Sequence, residues 1–298
     1  RFNRTDAYTQ AQDNVSSNIN YSQQFGTSPW SLTGGANLTQ SLNRGTVTVR
    51  APSGKLTLRQ IQPFKRKLAV GKERWYEKIR FDYNSQFENE ISATDSTLFT
   101  QEALDDAKYG IKHNANANVS LKFLKYFSFN PSISYSETWY FREINRSISD
   151  EIILDSIGTF PDSDGNDIIV YDTIYGDITE TIENTFLPFR EGSANAGIST
   201  KLFWTQVRNK GFLRGFRHTL TPDLGFRYRP DTRSAYERMF DTDNREDVTD
   251  IETYTIIPRG VFSANPRDED LGFSFSANNI VEIKYYSKRD STSKKLKL

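Results

Sequence analysis

Apolar and polar side chains alternate along this chain with a period of two, over stretches far longer than a soluble strand requires. Successive side chains of a strand point to opposite faces, so this alternation predicts a sheet with one greasy and one polar surface. Across 75–87, Trp75, Ile79, Phe81, Tyr83 and Phe87 share one parity, and Tyr76, Lys78, Arg80, Asp82, Asn84 and Gln86 share the other. Across 111–123, Ile111, His113, Ala115, Ala117, Val119, Leu121 and Phe123 alternate with lysine, asparagine and serine. Across 127–141, Phe127, Phe129, Pro131, Ile133, Tyr135, Trp139 and Phe141 alternate mostly with serine. The pattern recurs at 15–25, 30–42, 46–61, 194–204, 216–228 and 271–285, which gives about nine strands and the start of a tenth at Leu296.

Strand length separates the possible folds. Ordinary strands run roughly 5–6 residues, whereas these alternate for about 11–15, and a tilted strand needs about 9–11 to cross a hydrocarbon layer. Aromatic residues gather near the strand ends: Phe127 and Phe129 at one, Trp139 and Phe141 at the other, with Trp30, Trp75, Trp204 and Tyr285 placed similarly. Rings at both interfaces are the girdles of a membrane barrel. No run of about 18 apolar residues is present to form a membrane-crossing helix. The expected fold is therefore all-β: part of an antiparallel up-and-down transmembrane β-barrel, about 9–10 strands of a larger wall. A soluble β-sandwich with a structural or adhesive role is the alternative. Residues 1–20 are polar and show no export leader, so the chain reads as a mature or trimmed piece of a longer protein.

The connections support the barrel. Residues 26–29, 62–74, 125–126 and 205–215 are short or moderate, whereas on the other side 88–110, 142–192 and 229–270 are long and only 43–45 is short, the rhythm of short periplasmic turns and long outer loops. Charge follows the same division. One moderate turn carries Lys65, Arg66, Lys67, Lys72 and Arg74, and the other carries Arg208, Lys210 and Arg214, with Arg217 beside it. The loops 142–192 and 229–270 are rich in aspartate and glutamate. The basic turns read as solvated faces or as contacts to anionic headgroups or a periplasmic partner. Overall, 38 basic and 38 acidic residues cancel, which argues against a nucleic-acid partner.

Little in the sequence suggests catalysis. Cysteine is absent, which excludes thiolate chemistry and disulfides. His113 and His218, the only two histidines, both sit on apolar parities, where packing near the interface explains them. In the run DSDGND, Asp162, Asp164 and Asp167 offer closely spaced carboxylates of the kind that hold calcium, without the EF-hand spacing. The same run also reads as a solvated Asp/Gly turn. No catalytic residue and no other cofactor is expected.

Four stretches carry a family resemblance: RHTLTPDLGFRYRPD at 217–231, PFKRKLAVGKERWYEKI at 63–79, LKYFSFNP at 124–131 and KRDSTSKKLKL at 288–298. The first resembles a strand of the LptD family of outer-membrane lipopolysaccharide-assembly proteins, through His218, Pro222, Phe226, Tyr228, Pro230 and Asp231. The others resemble the Bacteroidetes branch of that family. The resemblance implies a translocon, not an enzyme, that inserts lipopolysaccharide into the outer leaflet of a Gram-negative outer membrane. It implies as partners lipopolysaccharide, the outer-membrane bilayer, a lipoprotein plug of the LptE type and a periplasmic lipopolysaccharide-bridge protein. Lys78, Arg80, Lys112, Lys122, Lys201, Arg227 and Arg229, on polar parities, are then expected to face the lumen and pair with lipid phosphates. The whole of 1–298 reads as one barrel segment without the family's N-terminal periplasmic jellyroll. Another outer-membrane barrel, a nutrient receptor or a protein-secretion translocon, would share the physical features but not these motifs.

Overall fold

The computed structural model describes residues 14–68, 70–98, 100–161, 167–208, 210–243, 245, 250–287 and 292–297. Twelve strand segments form one large antiparallel sheet. The strands of its main path are β1 (Asn14–Gln24), β2 (Trp30–Ser41), β3 (Thr46–Ile61), β4 (Arg80–Thr94), β5 (Lys108–Asn118), β7 (Phe127–Tyr140), β12 (Leu187–Thr200), β14 (Leu213–Arg229), β17 (Asp270–Ser287) and β18 (Thr292–Lys297). Each strand pairs with the next along that path, so the sheet is up-and-down. The expected tenth strand is β18, which begins ahead of Leu296.

Two of these ribs are longer than one strand segment. β6 (Leu121–Phe123) continues the line of β5 along β7, and β13 (Leu202–Val207) continues β12 along β14. The interruptions fall beside prolines. Pro131 of β7 stands opposite the break after β5, and Pro222 of β14 stands beside the break after β12. A proline has no N–H to give to the ladder, which accounts for the gaps in pairing.

One prediction shifts. Trp75 and Lys78 are not in a strand: Trp75–Lys78 form a single 3-10 turn, and β4 begins only at Arg80. The cause is local. Glu77 folds back to accept the Arg74 backbone N–H at 2.7 Å and takes up the Arg66 guanidinium (Nη2 to Oε2 3.2 Å), which suits a helical turn and not a ladder.

At the opposite rim the connections contain structure of their own. Helix α1 (Gln101–Asp105) lies between β4 and β5. The excursion after β7 is a hairpin arm: β8 (Glu143–Ile148) pairs β11 (Ile178–Glu183), and β9 (Ile152–Pro161) pairs β10 (Asp167–Tyr175). Between β14 and β17 lie α2 (Arg233–Tyr236), β15 (Glu237–Asp241) and β16 (Ile251–Thr255). The largest buried cluster of the described residues is here: Tyr140, Leu187 and Phe189 from the sheet, Ile256 and Ile257 from the loop.

Candidate functional site

Register assigns the faces, because directly paired residues point the same way. One row reads Leu121, Phe129, Ile198, Leu224, Phe275; another reads Phe81, Ala117, Ile133, Ala194, Tyr228, Leu271. This greasy face is uncovered: Ile133 is 63% exposed, Leu224 57% and Phe273 78%. Among the described residues no second sheet packs on it, which speaks against the sandwich alternative. A water-soluble chain rarely leaves so large an apolar surface open.

Rings mark the two ends of that face. Toward the short turns, Phe123 stacks on Phe127 (5.2 Å) and Trp204 meets Phe216 edge-on (5.5 Å). Toward the long loops, Tyr109, Phe141, Phe186 and Trp139 form a chain of contacts. From Phe127 to Trp139 the strand advances roughly 40 Å at about 3.3 Å per residue. Tilted by about 45°, that covers a height of roughly 28 Å, close to the apolar band of a barrel. His113 belongs to the upper group, 4.4 Å from the Trp139 ring and with Nδ1 2.7 Å from the Tyr83 hydroxyl. Beside it Glu137 accepts from Tyr135 and from Trp139 Nε1 (2.8 Å) and pairs with Arg190 (3.5 Å). His218 packs on the same greasy side, Nε2 3.1 Å from Asn279 Oδ1. Both histidines are thus packed among rings and amides, with His113 Nε2 buried without a hydrogen-bond partner among the described residues.

The opposite face is polar. Arg80, Asn118, Ser132, Asn195 and Arg227 form one row; Asp82, Asn116, Ser134 and Ser193 form the next. Asn116 donates to Asp82 (2.9 Å) and Asn114 to Asn84 (3.1 Å), so neighbouring strands are laced by side-chain amides. Lys112 stands opposite Thr138, and Lys122 opposite Ser128. Arg229 lies two residues beyond Arg227 on the same strand, and Lys201 bridges β12 and β13. Only Lys78 leaves the set, being in the helical turn. Arg227 is committed to Asp270 at 2.8 Å. Arg80, Lys112, Lys122, Lys201 and Arg229 have no ion pair among the described residues.

Toward the long-loop rim the polar face is roofed. Tyr140 and Phe189 lie on the polar parity, yet they are 2% and 1% exposed because Ile256, Ile257 and Phe262 sit over them. The Tyr140 hydroxyl donates to the Phe262 carbonyl (2.8 Å), and the Tyr236 hydroxyl to the Pro188 carbonyl (2.6 Å). The family-motif residues Pro230 and Asp231 start this roof. Pro230 follows the end of β14, and Asp231 accepts the backbone N–H groups of Arg233 (2.9 Å) and Ser234 (3.3 Å). Its carboxyl is held below the ordinary aspartate range by the Ser234 hydroxyl and those N–H groups. The other motif residues stay in the strand: Pro222 opposite Ala277, Phe226 against Phe273 (5.4 Å), Tyr228 opposite Leu271.

Two clefts open under and beside the roof. The smaller, about 230 Å³, is lined by Asn114, Asn116, Ser136, Glu191, Arg229 and Arg267. Arg267 reaches Glu191 at 3.2 Å, while its Nε and the Ser136 hydroxyl are buried without a hydrogen-bond partner among the described residues. The larger, about 730 Å³, is walled by Lys108, Tyr109, Arg142, Arg146, Tyr254 and Arg259. Arg142 lies 5.7 Å from the Tyr109 ring centre and Arg146 5.6 Å from that of Tyr254. Glu90, Asp106 and Glu180 line the same cleft, and Glu180 pairs with Arg146 at 2.9 Å.

The basic turns are at the other rim. Lys65, Lys67, Lys72 and Arg74 are exposed, and Arg66 is engaged with Glu77; Arg208 and Lys210 are exposed, and Arg214 lies 5.0 Å from the Tyr286 ring centre. Of the calcium candidates, Asp162 and Asp164 lie outside the described residues, and Asp167 opens β10 opposite Pro161. Residues 288–291 and 298 of the last motif are likewise outside them.

Sequence reasoning did not single out Tyr140, Phe189, Tyr236 or Arg267. A signal existed for the first two: large apolar rings on a polar parity. A family model described as LptD protein matches residues 1–298. Neither curated proteins nor solved structures yield a match.

Proposed function

The chain belongs to the LptD family, which serves lipopolysaccharide transport and assembly at the outer membrane, and on that premise we propose that these ten strands are a stretch of the translocon wall. The greasy face meets lipid and the polar face lines a wet lumen through which the saccharide and phosphates of lipopolysaccharide pass. The observation that carries the proposal is the uncovered apolar face of Ile133, Leu224 and Phe273, backed across the same strands by a face of asparagine, serine and cations without an ion pair among the described residues. A sheet in hydrocarbon tolerates no open edge, so the edges of β1 and β18, which are unpaired among the described residues, call for partner strands that complete the wall.

In this reading Arg80, Lys112, Lys122, Lys201 and Arg229 supply a cationic track for phosphates, without the geometry of a fixed site. The roof over Tyr140 and Phe189 closes the outer end of the lumen. A lipoprotein plug of the LptE type and a periplasmic bridge protein are the partners that the family suggests. The chain is a conduit, not a catalyst.

Photo-crosslinking in living cells tests this. A photoreactive residue at Asn116 or Asn195, on the polar face, is expected to capture lipopolysaccharide during active transport. The same residue at Ser85 on the greasy face should capture bulk membrane lipid whether or not transport is running. Capture that ignores transport at Asn116 and Asn195 would refute the lumen assignment. Depletion of the protein should lower surface lipopolysaccharide and leave nutrient uptake and protein secretion intact.

A further inference from the structure

The turn between β3 and β4 has a composition that neither the wall nor the lumen explains. Residues 62–79 hold six basic and two acidic side chains. Interleaved with them are four large apolar groups standing in the open: Leu68 at 87% exposure, Val70 at 86%, Trp75 at 62% and Phe64 at 56%. Lys65, Lys67 and Lys72 have no ion pair among the described residues. Among the described rings, Trp75 meets that of Tyr76 edge-on at 6.0 Å.

This turn is also shaped. Glu77, 1% exposed, gathers Arg66 from the early part of the turn and the Arg74 N–H from the later part, and Arg66 Nη2 also donates to the Lys72 carbonyl (3.3 Å). One buried carboxylate folds the segment back on itself. The greasy residues are thereby left outside, with cations between them.

We propose that this turn seats on the anionic phospholipid headgroups of the leaflet at the short-turn rim, with Trp75, Leu68, Val70 and Phe64 entering the acyl boundary and Lys65, Lys67 and Lys72 pairing with phosphates. The pattern is that of an interfacial anchor, in which buried apolar area and attraction to anionic lipid add. Its position suits the role. The turn leads directly into Ile79 and Phe81 and so adjoins the apolar band of the wall. Charge selects the occupant: the excess of basic residues matches an anionic lipid surface, and the alternation of ring, aliphatic and lysine suits a boundary between oil and water. The turn at the same rim that carries Arg208 and Lys210 exposes Val207 at 71% and Phe212 at 70%, and repeats the composition.

The inference rests on the membrane-wall reading and is independent of the cargo. The test uses the complete barrel that contains this stretch, folded into vesicles, with Trp30, Trp139, Trp204 and any tryptophan outside the stretch changed to Phe so that Trp75 is the only tryptophan. In vesicles containing phosphatidylglycerol, lipids brominated near the headgroup end of their chains should quench Trp75 at least threefold more than in phosphatidylcholine alone. Acrylamide in the water should quench it little. The triple change Lys65→Gln, Lys67→Gln, Lys72→Gln should remove the preference for anionic vesicles while the protein keeps its folded gel mobility. A Trp75 open to acrylamide and untouched by bromine in anionic vesicles would overturn the inference, as would a Trp75 shielded from both, which would mean that protein covers the turn. A companion protein with Phe273→Trp and Trp75→Phe as well separates the two readings. Bromine must quench that tryptophan if the wall faces lipid, whatever Trp75 does.

Discussion

The hydroxyl of Tyr140, at the last position of β7, donates a 2.8 Å hydrogen bond to the carbonyl of Phe262 across 122 residues of chain. It is one of the bonds by which the roof is fastened to the sheet. Around it Phe189, Leu187, Ile256 and Ile257 exclude water, and Gly260 passes so close that a Cβ would come 3.0 Å from the Tyr140 ring. The roof is thus a packed piece of structure and not a loop draped over an opening.

Replacing Tyr140 by Phe removes that bond and leaves a buried carbonyl without its donor, an effect of about 1–3 kcal/mol. The loss should be local. Amide hydrogen exchange at Ile256 and Ile257 should quicken by about tenfold or more, while the ladder between β12 and β14 exchanges as before. Unchanged protection at Ile256 would show that the bond does not hold the roof.

The two faces of β7 should respond oppositely to charge. Ile133→Lys places an ammonium on the uncovered greasy face, at about 2–4 kcal/mol if the site is near mid-membrane. Ser134→Lys, one residue on, adds the same charge to the polar face. Insertion into membranes and resistance of the folded band to heating should fall sharply for the first and little for the second. Equal effects would contradict the assignment of faces.

Glu77 gives the basic turn a pH dependence. The hydrogen bond from Arg66, then the Arg74 N–H, hold its carboxyl below the ordinary value of 4.5. A lowered folded pKa stabilises the turn fully above 4.5, and that stabilisation fades as the pH falls below it toward the folded value. Proteolysis within 62–79 should therefore be slow at pH 7 and accelerate below about pH 4.5. In Glu77→Gln it should be fast throughout, without that step. A step that survives in Glu77→Gln would assign it to other carboxyls.

Gly35 is required by its neighbour. A Cβ there would come 2.6 Å from the Ile19 carbonyl oxygen in β1, in the stretch where β2 shifts register against β3. Gly35→Val should therefore peel β1 from β2. Cross-linking between cysteines introduced at Asn18 and Asn37, which face each other, would report this as a several-fold loss against the Gly35 protein. Undiminished cross-linking would mean that the strand shifts to make room.

Much of the sheet was readable in the sequence because a strand has a strict period of two. The run 46–61 became β3 with those bounds, and 127–141 became β7 almost entire. Trp75 misled because its parity fits the strand that follows. Only the short-range capture by Glu77 of Arg66 and the Arg74 N–H turns that residue into a helical turn. The roof was hidden for a different reason. Its acidic surface resembles any solvated loop, and the greasy residues beneath, Ile256, Ile257 and Phe262, gain their meaning from Tyr140 and Phe189, far away in sequence.

By itself the sequence determined the strands, their two faces, the opposite charge of the two rims and the family. Each of these depends on spacing along the chain or on local composition, since alternation is a property of one extended segment. Only the tertiary structure decided which cations of the polar face are spent, as Arg227 is on Asp270, and which have no ion pair among the described residues, as Arg229. It alone showed that a long loop folds over the polar face of the sheet to cover Tyr140 and Phe189. Such choices depend on register between strands and on packing between residues more than a hundred positions apart, which no periodicity records.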